Sequence, residues 1–131
     1  MLNFTHHVAI ICSDYEKAVD FYVKKLGFSI IREKQRPEQQ DVLMMLRSGE
    51  TVLELFIKAD APQRVSDPEA LGMRHLAFRV DNLDETVAWL NSRGVETELV
   101  REDKINGGRF TFFRDPDGLP LELHELEDLK C

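Results

Sequence analysis

The chain's 131 residues suffice for one domain or two small halves, and 43% hydrophobic with 31% charged residues is ordinary for a soluble globular protein. A formal net charge of −7, with no basic run longer than Lys24-Lys25, excludes a sequence-independent nucleic-acid binder, and no apolar run approaches the roughly 18 residues of a transmembrane helix. MLNFTHHVAI has no basic segment ahead of a long apolar one, so no signal peptide is expected; Cys12 in an apolar stretch and Cys131 at the end make no disulfide framework, so reduced thiols and a cytoplasmic location are expected.

Residues 6–12 read as a strand. Ser13 then caps a helix, with Glu16 three residues on as in a capping box. That helix runs to about Leu26, with Ala18, Val19, Tyr22 and Leu26 at helical spacing, and Gly27 ends it. Strands are expected near 28–34, 42–47 and 51–57, with KQRPEQQD as a polar loop. Residues 58–73, rich in Pro and polar side chains, read as a linker. Residues 74–80 are again a strand. Asn82 caps a helix with Glu85 at its third position; Val87, Leu90 and Trp89 supply its apolar side, and Gly94 ends it. Strands follow near 95–101, 109–114 and 119–125, with DPDG at 115–118 as a turn.

The order β-α-β-β-β thus occurs twice, and the repetition extends to chemistry. HHVAIICSDYEKAVDFYVKKLGF from His6 aligns with RHLAFRVDNLDETVAWLNSRGVE from Arg74, placing His7 against His75, an offset of 75 − 7 = 68. VLELF from Val52 aligns with PLELH from Pro120, placing Glu54 against Glu122, and 122 − 54 is also 68. Glu54 is itself a puzzle: neither face of the strand TVLELFI looks wet, and an ionised carboxylate is rarely buried without a partner. If the first and last strands of each half pair, each half brings one imidazole beside one carboxylate. Two imidazoles and two carboxylates suit a five- or six-coordinate divalent ion with positions left for water or substrate. The expected ligands are therefore His7, Glu54, His75 and Glu122, with Glu54 buried on its cation. His124, on the face of Glu122, is a rim candidate; His6 faces away from His7, and Cys12 has the wrong parity for the site. Taken singly, each of these residues has an ordinary structural role as an alternative.

HHVAI, DFYVKKLGF, VLELF, RHLAFRVDNLDE and FRDPDGLPLEL resemble the vicinal oxygen chelate superfamily over roughly residues 5–125, and within it glyoxalase I (lactoylglutathione lyase) and small bacterial glyoxalase-like proteins. The resemblance implies an α+β fold: one domain over 1–131 whose two βαβββ modules, about 5–57 and about 74–125 around the 58–73 linker, form a curved mixed sheet around a metal-binding cavity. It implies a lyase or isomerase that converts the hemithioacetal of a 2-oxoaldehyde and a thiol, typically methylglyoxal and glutathione, to the 2-hydroxyacyl thioester through an enediolate. Glu122 is then the main base, with Glu54 assisting. The His-Glu-His-Glu quartet separates this chain from drug-sequestering members, which usually lack it, and from thiol transferases and extradiol dioxygenases, which use two His and one Glu.

One departure concerns the thiol. Glyoxalase I carries an Arg for glutathione four residues after its first metal His, and here that position is Ile11; an Asn after its LEL strand corresponds to Lys58 or its neighbour. Arg109, Arg79, Phe56 and His124 are candidate substrate contacts; for the two Arg, surface ion pairing is the alternative, and Lys104 faces water. Two other functions stay open: a metal-dependent epimerase of the methylmalonyl-CoA type, for which NGG at 106–108 is the only glycine-rich candidate, and a non-catalytic binding protein for a small molecule or metal. The resemblance also implies one divalent ion, Zn or Ni foremost and otherwise Co, Mn or Fe. Its paired site forms within one chain or across a homodimer by exchange of modules, which a 16-residue linker (73 − 58 + 1 = 16) permits.

Overall fold

The computed structural model describes residues 1–105 and 107–125. Asn106 and residues 126–131 lie outside them, and with them the first residue of NGG and the carboxy-terminal cysteine. The chain is α+β and divides into two compact units, Met1–Gln63 and Arg64 onward. The division falls inside the expected linker.

The first unit begins with β1, Val8–Cys12. A single α-helical turn, α1, covers Tyr15–Ala18 and widens into a π-helix over Val19–Lys25. Three strands follow: β2 (Ser29–Arg36), β3 (Asp41–Ser48) and β4 (Thr51–Ile57). They form one sheet in the order β1-β4-β3-β2, parallel between β1 and β4 and antiparallel elsewhere. One face of it is buried: Ile10, Cys12, Met44, Leu46, Leu53, Leu55 and Ile57 alternate along their strands, and the helix adds Ala18, Phe21 and Tyr22. Truncating Leu53 or Leu55, both fully buried, removes apolar contact worth about 2–5 kcal/mol.

The second unit repeats the plan. β5 is Leu76–Val80, α2 is Leu83–Ser92, β6 is Arg101–Glu102, β7 is Arg109–Arg114 and β8 is Pro120–Glu125. The sheet order is β5-β8-β7-β6, again parallel between first and last strands. Asn82 caps α2 as expected, accepting from the Glu85 amide at 3.0 Å. The DPDG turn is held by Asp115, whose Oδ1 accepts from the amides of Asp117 and Leu119, each at 2.9 Å. Gly27 and Gly94, just past the two helices, sit at φ 82° and 81°, a conformation that a β-carbon makes costly.

Several local expectations are corrected. Both opening strands start later than read: the ladders begin at Val8 opposite Leu53 and Leu76 opposite Leu121, so His7 and His75 stand one residue ahead of their strands. The first cap is Asp14 rather than Ser13, with Asp14 Oδ1 accepting from the Lys17 amide at 2.9 Å, so the Ser13–Glu16 capping box does not form. The helix to Leu26 is mostly π-helical, closed by a bond from the Leu26 amide to the Phe21 carbonyl at 2.9 Å. KQRPEQQD is not an open loop. Lys34 to Arg36 continue β2 and only Pro37–Gln39 turn, because Arg36 and Asp41 face each other at the end of the ladder and form an ion pair. The strand near 95–101 shrinks to Arg101–Glu102; Glu98 still donates its amide to the Phe112 carbonyl at 2.9 Å, without a continuous ladder. Trp89 is 40% exposed beneath the Arg93 guanidinium, so it is not core.

Candidate metal centre

In each unit, parallel pairing sets an imidazole beside a carboxylate. Directly opposed residues share a sheet face, and side chains two apart along a strand return to it. Ala9 opposes Glu54, so His7, two residues before Ala9, extends the face of Glu54. Ala77 opposes Glu122 in the same way, and His75 precedes it by two. The alanine methyl groups leave space beside both carboxylates. His7 Nε2 lies 3.9 Å from Glu54 Oε1, and His75 Nε2 lies 3.3 Å from Glu122 Oε1.

The environments differ. Glu122 is buried, at 8% exposure. Phe112 opposes it in the ladder and meets the His75 ring edge-on at 5.1 Å. Glu54 keeps 20% of its side-chain surface, so the expectation of a buried Glu54 is corrected; it stands on the half-open face of β4 with Val52 and Phe56. His6, expected to face away, instead brings its Nδ1 to 2.8 Å from His7 Nδ1. One ring must donate and the other accept, which leaves His7 Nε2 directed at Glu54.

The donor sets fit a divalent ion. Two ligands at about 2.1 Å from one cation, separated by 90–109°, stand about 3.0–3.4 Å apart. The His75–Glu122 separation lies inside that span, and the His7–Glu54 separation is half an ångström wider. His7 with Glu54, and His75 with Glu122, are each able to chelate through one nitrogen and one oxygen.

The other sequence candidates separate by face. His124 opposes Arg79 on the Glu122 side and stacks on Phe110, centroids 5.9 Å apart and planes 10° apart. Arg79 is exposed on that side. Phe110 lies edge-on to Phe112 at 6.0 Å, and the Arg101 guanidinium covers both rings at 5.3 and 5.5 Å. Beyond this aromatic row opens a cavity of about 620 Å³, lined by Arg101, Glu102, Asp103, Lys104, Gly107 and Phe110. Arg109 is corrected as a site candidate. It lies on the opposite face of β7 from Phe110, where Nε and Nη2 donate to Glu125 at 2.9 and 3.1 Å and Nη2 reaches Asp84 at 3.1 Å. Those bonds hold Glu125 below the usual carboxylate range and raise Arg109, so Arg109 ties β7 to the start of α2.

One cluster escaped the sequence reading. On the Glu54 face, Phe56 stands between Ile11 and Leu43 of the neighbouring strands, and the Arg36 guanidinium covers its ring at 5.2 Å. Arg36 Nε and Nη2 donate to the two oxygens of Asp41, both at 2.7 Å, and Lys58 Nζ donates to Asp41 Oδ2 at 2.9 Å. The Asp41 side chain has no exposed surface. Hydrogen bonds from Arg36, then from Lys58, hold its carboxyl far below the usual range, and Asp41 in turn raises Arg36. The available signal was Arg36 and Asp41 flanking a proline turn, a spacing that brackets a hairpin end. Ile11 is 56% exposed on the same face and offers no charge to a substrate carboxylate.

The family model of the Glyoxalase/Bleomycin resistance protein/Dioxygenase superfamily matches residues 5–123. A crystal structure of a glyoxalase family protein from Enterococcus faecalis superposes with a TM-score of 0.92 at 53% identity, covering 94% of this chain and 98% of that one. The Bacillus subtilis protein YwkD is 53% identical over 126 residues, 95% of this chain and 98% of its own. A lactoylglutathione lyase of Escherichia coli O157:H7 is 31% identical over 127 residues, 93% of this chain and 92% of its own. Among the described residues no helix is long and apolar enough to cross a membrane.

Proposed function

This chain belongs to the Glyoxalase/Bleomycin resistance protein/Dioxygenase superfamily, and on that footing we propose that it is a metal-dependent isomerase of the glyoxalase I type, acting on the hemithioacetal of a 2-oxoaldehyde and a thiol. The observation that carries the reading is the duplicated His–Glu pair, at nitrogen–oxygen separations of 3.9 and 3.3 Å. The 31% identity to a lactoylglutathione lyase supports it.

In this reading His7, Glu54, His75 and Glu122 hold one divalent ion, from one chain or from two chains of a homodimer. When bound, the ion supplies Lewis-acid stabilisation of the charge that develops as a proton leaves carbon beside a carbonyl. The chain's own residues supply the proton transfer. Glu122, buried against Phe112, takes the C1 proton and returns it to C2, while the hydroxyl proton passes from the oxygen on C1 to the oxygen on C2, turning hemithioacetal into 2-hydroxyacyl thioester with no atom gained or lost. Glu54, more exposed, assists from the second pair. Phe112 keeps water from the Glu122 carboxylate, and the His75 ring, edge-on to Phe112, is fixed in orientation.

Imidazole with carboxylate suits Zn, Ni, Co, Mn or Fe, and the family resemblance puts Zn and Ni first. The test is to strip the protein of metal, reload it separately with Zn, Ni, Co and Mn, and supply methylglyoxal with glutathione and then with other cellular thiols. Turnover with one metal and one thiol is the expected result. Tight metal uptake without turnover on any thiol would overturn the reaction and leave the ligand set standing.

A further inference from the structure

We propose that Arg64 is a positioning residue for His75: by holding the two backbone carbonyls that precede the imidazole, it fixes the direction from which His75 reaches the ion it shares with Glu122. The proposal rests on the reading of His75 as a metal ligand. Its geometry lies wholly within the second unit.

His75 needs a support that the sheet does not give. The parallel ladder begins at Leu76 opposite Leu121, so His75 has a paired neighbour on its carboxy-terminal side alone. On its other side residues 64–74 form a closed loop. Arg64 spans ten residues to donate from Nη2 to the carbonyls of Met73 and Arg74, both at 3.0 Å. Within the loop Ser66 bridges to Glu69, and the Arg74 guanidinium donates to both oxygens of Glu69. The Arg74 carbonyl is the effective handle. Peptide planarity puts that oxygen in one plane with the His75 nitrogen and α-carbon, so a bond that holds the oxygen also holds the origin of the His75 side chain. With Leu76 fixed by the ladder, His75 is bracketed on both sides.

The first unit supports its histidine differently. His6 meets the His7 ring through Nδ1, a contact on the imidazole and not on the backbone before it. The pair so supported stands at 3.9 Å, against 3.3 Å for His75 and Glu122. A ligand ordered before the ion arrives spares binding the entropy of ordering it. Geometry, not charge, is what Arg64 brings. Its positive charge alone disfavours a cation nearby, and that charge is answered within the loop. Glu69 is held below the usual carboxylate range first by its bond from Arg74, with the charges of Arg74, Arg64 and a protonated His75 adding to it. Nη2 carries two N–H groups, one for each carbonyl. A lysine ammonium offers the same two bonds from one nitrogen, and a methionine offers none.

The test has two readings, one of them independent of metal. In the metal-free chain, nitrogen-15 relaxation should give the His75 amide the order parameter of a rigid backbone, about 0.85; Arg64→Met should lower it toward the flexible range, below about 0.6, and Arg64→Lys should restore it. The second reading is a cobalt(II) titration near physiological ionic strength, where exposed charges are screened. Arg64→Met should weaken uptake about threefold to tenfold, Arg64→Lys should bind close to wild type, and Lys17→Met, which removes a distant charge, should change nothing. An order parameter unmoved by Arg64→Met overturns the proposal. So does a lowered order parameter with cobalt binding unweakened or tighter, tighter binding being the sign of lost charge alone. Weaker binding that Arg64→Lys does not restore overturns it as well. His75→Ala separates the two claims. Cobalt affinity unchanged in His75→Ala fells the ligand reading and this inference together; affinity lost in His75→Ala but kept in Arg64→Met fells the inference alone.

Discussion

His75 Nε2 stands 3.3 Å from the carboxylate of Glu122, closer than the 3.9 Å of its counterpart pair, and Glu122 is the more deeply buried of the two glutamates. The two halves are alike in plan and unlike in environment. That difference is what supports Glu122 as the proposed base. Glu122→Gln keeps an oxygen ligand and removes the base. It should bind one ion as wild type does and lose about a hundredfold to ten-thousandfold in turnover. Calorimetry and the isomerase assay check the two parts separately, and near wild-type turnover would move the base elsewhere.

The stoichiometry of metal binding discriminates between shared and separate pairs. With one ion taking both pairs, His7→Ala and His75→Ala each weaken the same single binding event. With two independent sites, either variant leaves one site at full affinity. A zinc titration of each variant reads this directly, and the shared ion is the expected outcome.

His6 acts on His7 through the 2.8 Å contact between their Nδ1 atoms. Outer partners that fix the tautomer of a ligating histidine are worth about tenfold to a hundredfold in metal affinity. His6→Ala should therefore weaken metal binding within that span, with melting temperature in the absence of metal unchanged. Affinity equal to wild type would reduce the contact to an incidental one.

Acid should act on Asp41. Its folded carboxyl titrates below an unfolded aspartate, for which the ordinary value is about 3.9, so its ionised form stabilises the fold above that value. That contribution shrinks as pH falls from about 4 toward the folded value. Asp41→Asn should lower the melting temperature by several degrees at neutral pH, because two cations lose their carboxylate. The gap between variant and wild type should close below about pH 4. A gap constant with pH would show that Asp41 acts through packing alone.

The repeat was the most legible feature of the sequence. A shared offset of 68 aligned both His–Glu pairs before any strand pairing was known, and the parallel ladders then opposed Ala9 to Glu54 and Ala77 to Glu122. Asn82 was legible as a cap although Asp81 stands beside it, whereas of Ser13 and Asp14, also side by side, backbone geometry selects Asp14. The π-helix was not legible, since its side chains bury Phe21 and Tyr22 much as an α-helix would bury neighbouring residues. For Arg109 the sequence left substrate contact and surface ion pairing open, and only the register of β7 against β8, which opposes Phe110 to His124, sets Arg109 beside Glu125 and selects the ion pair. The Arg36–Asp41–Lys58 cluster needed the hairpin that closes over Pro37–Gln39, and KQRPEQQD reads as polar loop until that hairpin is seen.

The register of the two parallel ladders also decides where this chain tolerates a change of length. One residue inserted within β1 or β4 would turn His7 or Glu54 from the half-open face to the buried one, exchanging an ionisable group for a leucine or an isoleucine. The same insertion after Ser48, between β3 and β4, leaves every pairing in β1 and β4 intact. Length variation is therefore confined to turns, and the separation of His from Glu along the chain is free to drift while their opposition across the ladder is not.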